Sequence, residues 1–224
     1  MSGRTKLADR TLPDYTRGNE IFNMVSHIVG GAIGIAALVS CVWMAVVHHS
    51  VWGVWTSVVF GVSMITLYTI SAVYHGLIPL SGKKVMQVLD HCTIYFLIAG
   101  TYTPVTLTAL RVEYPAVAWC IFGVVWGCAI LASVFTAIDL KQYRVFSMIC
   151  YLAMGWCIIF FIRQTAEILT RGGTIWLVAG GIAYTIGAVL YGIGKRWPWM
   201  HGVFHVFVVI GSVCHWLMIL FFVV

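Results

Sequence analysis

Charged side chains are scarce in this chain. Its 224 residues carry 13 Lys and Arg and only 7 Asp and Glu, 9% in all, against about 25% in an ordinary globular protein. So few ionic groups cannot cover a water-exposed surface, which excludes a soluble domain. Acidic residues are the scarcer sign, giving a formal net charge of +6. The basic residues fall one or two at a time between apolar runs, not among aromatics on a polar face, so no nucleic-acid partner is expected. The cysteines (Cys41, Cys92, Cys120, Cys128, Cys150, Cys157, Cys214) are odd in number and form no CxxC pair. They read as small buried apolar side chains rather than a disulfide framework or a thiolate metal site. HExxH and phosphate-cradling glycine loops are missing, which removes the familiar metalloprotease and P-loop readings. Residues 1–20 lack the apolar core and small-residue cleavage site of a removable signal peptide. No internal repeat is visible.

Apolar side chains, by contrast, make up 61% of the chain, where roughly 45–50% is usual. The pattern predicts an all-α integral membrane protein, a bundle of seven transmembrane helices over residues 21–224 behind a polar tail at 1–20. The expected spans are about 21–47, 51–79, 86–110, 115–137, 145–163, 174–194 and 199–224. Each can cross a hydrocarbon core of roughly 30 Å as a helix. Pro79 with Ser81-Gly82, Pro115, Arg171-Gly172-Gly173 and Trp197-Pro198 separate them. At about 23 residues per helix, seven spans leave no room for a second domain. Glycines 30, 31, 34, 180, 181 and 187 are expected to be points of close helix packing.

Loop charges predict the orientation. Alternate loops put Arg4, Lys6, Arg10, Arg17, Lys83, Lys84, Lys141, Arg144, Lys195 and Arg196 on one side, and only Arg111, Arg163 and Arg171 on the other. The basic side is cytoplasmic by the positive-inside rule, placing the N-terminus inside and the C-terminus outside the cell membrane.

Ionisable groups within spans are costly and generally face the bundle interior. On this topology His75 lies near the cytoplasmic end of the second span, Asp90 near the start of the third, and His201 and His205 in the first two turns of the seventh. Glu20, Asn23, Ser26 and His27 stand at the entrance of the first. His201-Gly-Val-Phe-His205 sets two imidazoles on one helix face about 6 Å apart, and Ser71-Ala-Val-Tyr-His75 repeats the spacing with a hydroxyl. Three histidines and an open position form the ligand set of a catalytic zinc site. Asp90 then suits proton transfer, and Ser71 suits a supporting or oxyanion-stabilising place. His215 stands ten residues, about 15 Å, beyond His205 and is expected to be structural. His91 points elsewhere round its helix, and His48 and His49 fall in an outer loop.

The same stretches carry a family resemblance. Glu20-Ile-Phe-Asn23-Met-Val-Ser26-His27, Ser71-Ala-Val-Tyr-His75, Leu89-Asp90-His91, Ala99-Gly-Thr-Tyr-Thr-Pro104 and His201-Gly-Val-Phe-His205 with His215 resemble the haemolysin III group, bacterial relatives of the progestin and adipoQ receptors. The resemblance runs from about residue 20 to the C-terminus. It implies a seven-helix fold with a cytoplasmic N-terminus. It also implies zinc on His75, His201 and His205, with Asp90 beside the zinc-bound water and Ser71 near the site. The wider grouping includes alkaline ceramidases, so cleavage of an amide in a membrane lipid is the leading expectation. The short polar tail at 1–20 departs from the long cytoplasmic domain of the receptors, so no hormone partner is expected. Red-cell lysis, which the group's name suggests, follows from none of these residues.

Other readings use the same groups. A pore or a non-enzymatic regulator of membrane composition would need zinc only as a brace. A proton-coupled transporter would need polar groups continuing to the outer face, where mainly Thr, Ser and Tyr lie. Bis-histidine haem binding would compete for the same imidazoles.

Overall fold

The computed structural model describes residues 5, 7–193, 197 and 199–224. Arg4, Lys6, Lys195 and Arg196 of the orientation count, and Pro198 of the last turn, lie outside them. Every regular element among the described residues is helical: α1 (Arg17–Val47), α2 (Val51–Gly76), α3 (Leu80–Pro104), α4 (Pro115–Ile138), α5 (Arg144–Trp156), α6 (Ile162–Ile193) and α7 (Trp199–Phe222). A π-helical turn at Val105–Leu110 and a last turn at Arg111–Glu113 extend α3, and a 3-10 segment at Cys157–Phe161 joins α5 to α6.

Local chemistry sets the ends. The Thr16 hydroxyl accepts from the Asn19 backbone N–H while the Asn19 carboxamide oxygen accepts from the Thr16 N–H, both at 3.2 Å. This reciprocal cap starts α1 at Arg17, so the last four residues of the expected tail are helical. Ser50 caps α2 through the Gly53 N–H at 2.9 Å, and Pro115 opens α4, where its missing N–H costs nothing. Inside α3, Pro104 removes one donor and the helix widens into the π turn that follows. Thr101, Thr103 and Thr106 turn their hydroxyls back onto the carbonyls four residues earlier, at 2.8 Å each. That is how a polar side chain is satisfied in an apolar setting.

Among the described residues six helical runs are long and apolar enough to cross a membrane, where the sequence predicts seven. The difference lies in Arg144–Gly192, 49 continuous residues. At 1.5 Å per residue it would extend roughly 73 Å, more than twice a hydrocarbon core. The run is interrupted at Thr170, whose φ of 58° and ψ of 178° are not helical. The turn expected at Arg171-Gly172-Gly173 is therefore one residue early, and those three residues are helical. The glycine pair serves close approach instead: a Cβ on Gly172 or Gly173 would meet Phe222 at 2.8 or 3.0 Å.

The helices are polar or small inside and apolar outside. Along α1 the buried stripe reads Asn19, Asn23, His27, Gly30, Gly34, Ala37, Cys41 and Ala45, a 3.6-residue period. The opposite face exposes Ile28, Ile35, Val39 and Trp43. Water would reverse that arrangement; lipid favours it. Among the glycines expected to pack closely, Gly30 is decisive, since its Cβ would fall 2.6 Å from the Tyr68 ring. Tyr68, fully buried, donates to Ser212 Oγ at 2.7 Å and so ties α2 to α7. Packing runs α1 on α2, α2 on α3, α3 on α4 and α6 on α7, and α7 returns against α1. First and last helices thus start side by side, with the Phe22 and Trp199 rings 6.0 Å apart.

Candidate metal centre

Four helix ends meet at one level of the bundle: the starts of α1, α3 and α7 and the end of α2. The Thr16–Asn19 cap fixes where α1 begins, and the return of α7 onto α1 closes the group. His75 is the penultimate residue of α2; His201 and His205 occupy the first two turns of α7. All three imidazoles are buried, and their ligand nitrogens lie within 4.8 Å of one another. The His75 ring centroid is 5.5 Å from that of His201 and 5.0 Å from that of His205, while the α7 pair stand 4.6 Å apart.

The donor set fits a cation. His201 Nε2 and His205 Nε2 face each other at 3.1 Å, a separation two lone pairs tolerate only with a proton or cation between them. His75 Nε2 is buried with no protein partner, a state that costs on the order of 1–3 kcal/mol if left so. Tetrahedral zinc, with Zn–N of about 2.0–2.1 Å, spaces its ligand nitrogens by roughly 3.3 Å. Three such nitrogens could hold a metal ion here. His75 Nδ1 is engaged elsewhere: it donates to Glu20 Oε2 at 2.5 Å, and Asn23 Nδ2 stands at 3.5 Å.

Ser71 and Asp90 line the same cavity as His201 and His205. Ser71 is fully buried and its hydroxyl finds no partner. Asp90 is not one of the three grouped ligands; Thr93 Oγ donates to its backbone carbonyl at 2.8 Å, and its carboxylate makes no hydrogen bond among the described residues. His27 lies flat on His205, and both its ring nitrogens are buried without partners. The remaining histidines stand apart. His215 Nε2 donates to the Leu177 carbonyl at 3.2 Å, His91 Nδ1 to that of Gln87 at 2.8 Å, and His48 ends α1.

The cavity measures about 880 Å³ and runs from the N-terminal segment past His201 and His205 to Tyr102 and His215. That segment forms its roof, which nothing in a polar tail of mixed charge foretells. Tyr15 stacks on His201 with centroids 5.1 Å apart and planes 18° from parallel. Burial, with Tyr191, Glu20 and Asp90 close by, pushes the Tyr15 hydroxyl up, so it stays a neutral donor. The roof is tied down by the Thr5 N–H to Asp139 Oδ2 at 2.8 Å and by Lys84 Nζ to the Ala8 carbonyl at 2.6 Å. Arg10 Nη2 reaches the Ala137 and Ile138 carbonyls at 3.4 Å. The sequence marked Glu20 and Lys83 only by position and charge; their contacts with His75 appear once the helices are assembled.

Comparison with known proteins finds relatives along most of the chain. The family model described as "Haemolysin-III related" matches residues 15–216. Hemolysin-3 of Bacillus cereus is 36% identical over 204 residues, 91% of each chain. The Hemolysin-3 homolog of Bacillus subtilis is 34% identical over 210 residues, 94% of this chain and 97% of its own length. A shorter match, 32% over 107 residues (42% of this chain, 34% of the relative), is to the ADIPOR-like receptor IZH2 of Saccharomyces cerevisiae. His75, His201 and His205 fall within the matched range, and the chain belongs to the haemolysin-III-related family of membrane proteins.

Proposed function

We propose that this protein hydrolyses an amide in a membrane lipid at a zinc ion held by His75, His201 and His205. In this reading the chain makes seven spans of the cell inner membrane, with its N-terminus and the zinc level at the cytoplasmic face. The division of the 49-residue run at Thr170 supports a pair of crossings there, and the loop charges support the orientation. The observation that carries the reading is a buried three-nitrogen group, two of whose histidines, His201 and His205, line a largely apolar cavity. A purely structural zinc site commonly draws all four ligands from protein.

Zinc in a three-histidine site lowers the pKa of water to about 7 and so supplies hydroxide at neutral pH. The protein's own groups do the rest. Asp90, which lines the cavity beside His201 and His205 and whose carboxylate makes no hydrogen bond among the described residues, would accept the water's proton and return it to the leaving amine. Ser71 offers its unpartnered hydroxyl to the substrate carbonyl. Leu97, Ile98, Leu152 and Ile158 line the deeper cavity and fit acyl chains while excluding water. The Tyr15 roof covers the triad from the tail side.

Protein purified without added metal is expected to carry about one zinc and to release fatty acid from a ceramide-type amide in mixed micelles. Asp90→Ala should keep the zinc and lose at least about a hundredfold in turnover. Parent-like turnover in Asp90→Ala overturns the mechanism. A zinc-loaded parent inactive on lipid amides moves the assignment to a membrane protein braced by its metal.

A further inference from the structure

Glu20 touches both His75 and Lys83, and neither contact belongs to the ligand triad. One oxygen, Oε2, accepts from His75 Nδ1 at 2.5 Å; the other, Oε1, accepts from Lys83 Nζ at 2.8 Å. Lys83 in turn donates to the carbonyls of His75 and Leu77, at 3.3 and 3.1 Å, where α2 ends. One carboxylate on the first turn of α1 therefore joins the last turn of α2 to the first turn of α3. The His75 imidazole is fully buried, and Glu20 is 18% exposed at its side chain.

We infer that Glu20 is a positioning residue that turns His75 so that Nε2, rather than Nδ1, faces the metal, with Lys83 holding the carboxylate in place. The inference rests on the zinc reading above. An imidazole has two nitrogens and a freely rotating Cβ–Cγ bond, so a ligand histidine with no partner at Nδ1 can present either nitrogen or neither. A carboxylate bonded to Nδ1–H selects the tautomer, stops the rotation, and makes Nε2 a better donor. The geometry matches each part: Nδ1 is engaged and Nε2 is buried and unpartnered. Neither of the other two ligands has a carboxylate partner: His201 Nδ1 is unbonded, and His205 has only the Asn23 backbone beside it. Those two are held instead by their shared helix, four residues apart. His75 stands alone on its helix and needs the external hold.

The test is zinc affinity of the full-length protein in detergent, by competition with a chromogenic chelator, with Co²⁺ absorption as a reporter of ligand number. Glu20→Ala is expected to weaken zinc binding about tenfold to a hundredfold and to reduce the Co²⁺ signal of a three-nitrogen site. Glu20→Gln, whose amide oxygen can still accept from Nδ1–H, should recover part of the loss. Lys83→Met should cost less than Glu20→Ala, because the bond to Nδ1 remains. Parent-like affinity in both Glu20 variants overturns the inference, as does a Lys83→Met loss equal to that of Glu20→Ala, which would indicate helix-end packing. If Glu20→Ala does not fold, Glu20→Leu, which fills the space and cannot accept from Nδ1–H, takes its place, and parent-like affinity there overturns the inference. A parent that binds no zinc sinks the metal reading itself, which is a different result.

Discussion

The imidazoles of His27 and His205 are stacked, with centroids 3.8 Å apart and planes 11° from parallel. His27 backs His205 but lies outside the three-histidine group that could hold a metal ion. It works as a flat, buried wall, with Tyr68 edge-on behind it at 5.1 Å. His27→Phe keeps the flat surface and is expected to retain one zinc per chain with less than about tenfold loss of affinity. His205→Ala should abolish binding. Elemental analysis of the two variants separates the roles, and loss of zinc in His27→Phe would make it a ligand.

Metal removal should expose how much of the fold depends on the triad. The helices are stitched by α1–α2 and α6–α7 packing that includes no metal, so the protein is expected to remain helical after chelation. Its unfolding should nonetheless come earlier. Zinc at a hundredfold over its dissociation constant contributes about 2.7 kcal/mol. His75→Ala should melt like the chelated parent and show no response to added zinc. A zinc-dependent rise in the melting temperature of that variant would place the ion elsewhere.

Gly202, next to His201, packs against α1, where a Cβ would stand 2.6 Å from the Phe22 ring and 2.9 Å from Asn23 Oδ1. Gly202→Ala must push α7 from α1, at a cost of about 1–3 kcal/mol, and carry His201 and His205 away from His75. Zinc affinity should fall although no ligand is altered. Gly127→Ala is the control, because nothing stands within 4 Å of its Cβ. It is expected to be neutral or to gain up to about 1 kcal/mol from helix propensity. Equal zinc affinities in the two variants would refute the packing argument.

The roof over the cavity should loosen in acid. Burial alone would raise the Asp139 carboxyl, but N–H groups of Thr5, Gln142 and Lys141 donate to it and bring it down from 3.8 to about 2. A carboxyl lowered by folding adds stability above its ordinary value and loses it as the pH falls through about 2. Asp139→Asn should therefore cost about 1–3 kcal/mol at pH 7, with the difference from the parent shrinking between pH 4 and pH 2. Protease cleavage within residues 7–15, followed across that range, reads the roof directly. A gap between the two proteins that stays constant with pH would assign the anchoring to something other than this carboxylate.

Much of the architecture can be read from residue order because a helix is a local object. Its hydrogen bonds span four residues, so Ser50, Pro115 and the apolar runs reveal where α2 and α4 begin. The four-residue spacing of His201 and His205 likewise puts two imidazoles side by side on any helix. The break between the fifth and sixth expected spans was misplaced for the complementary reason. Gly172 and Gly173 look like turn residues, but their neighbour in space is Phe222, about fifty positions away in the chain.

Residue order alone dictated a lipid-embedded helical bundle with polar groups at one end, because burial of apolar side chains and backbone self-satisfaction depend on composition and period. Assembly alone decided that Glu20 would reach His75, that His27 would lie on His205, and that Tyr15 would fold back over His201. These contacts join residues on different helices, or on the tail and a helix. Which faces meet is set by close packing of whole helices, such as Gly30 against Tyr68, and that has no period along the chain.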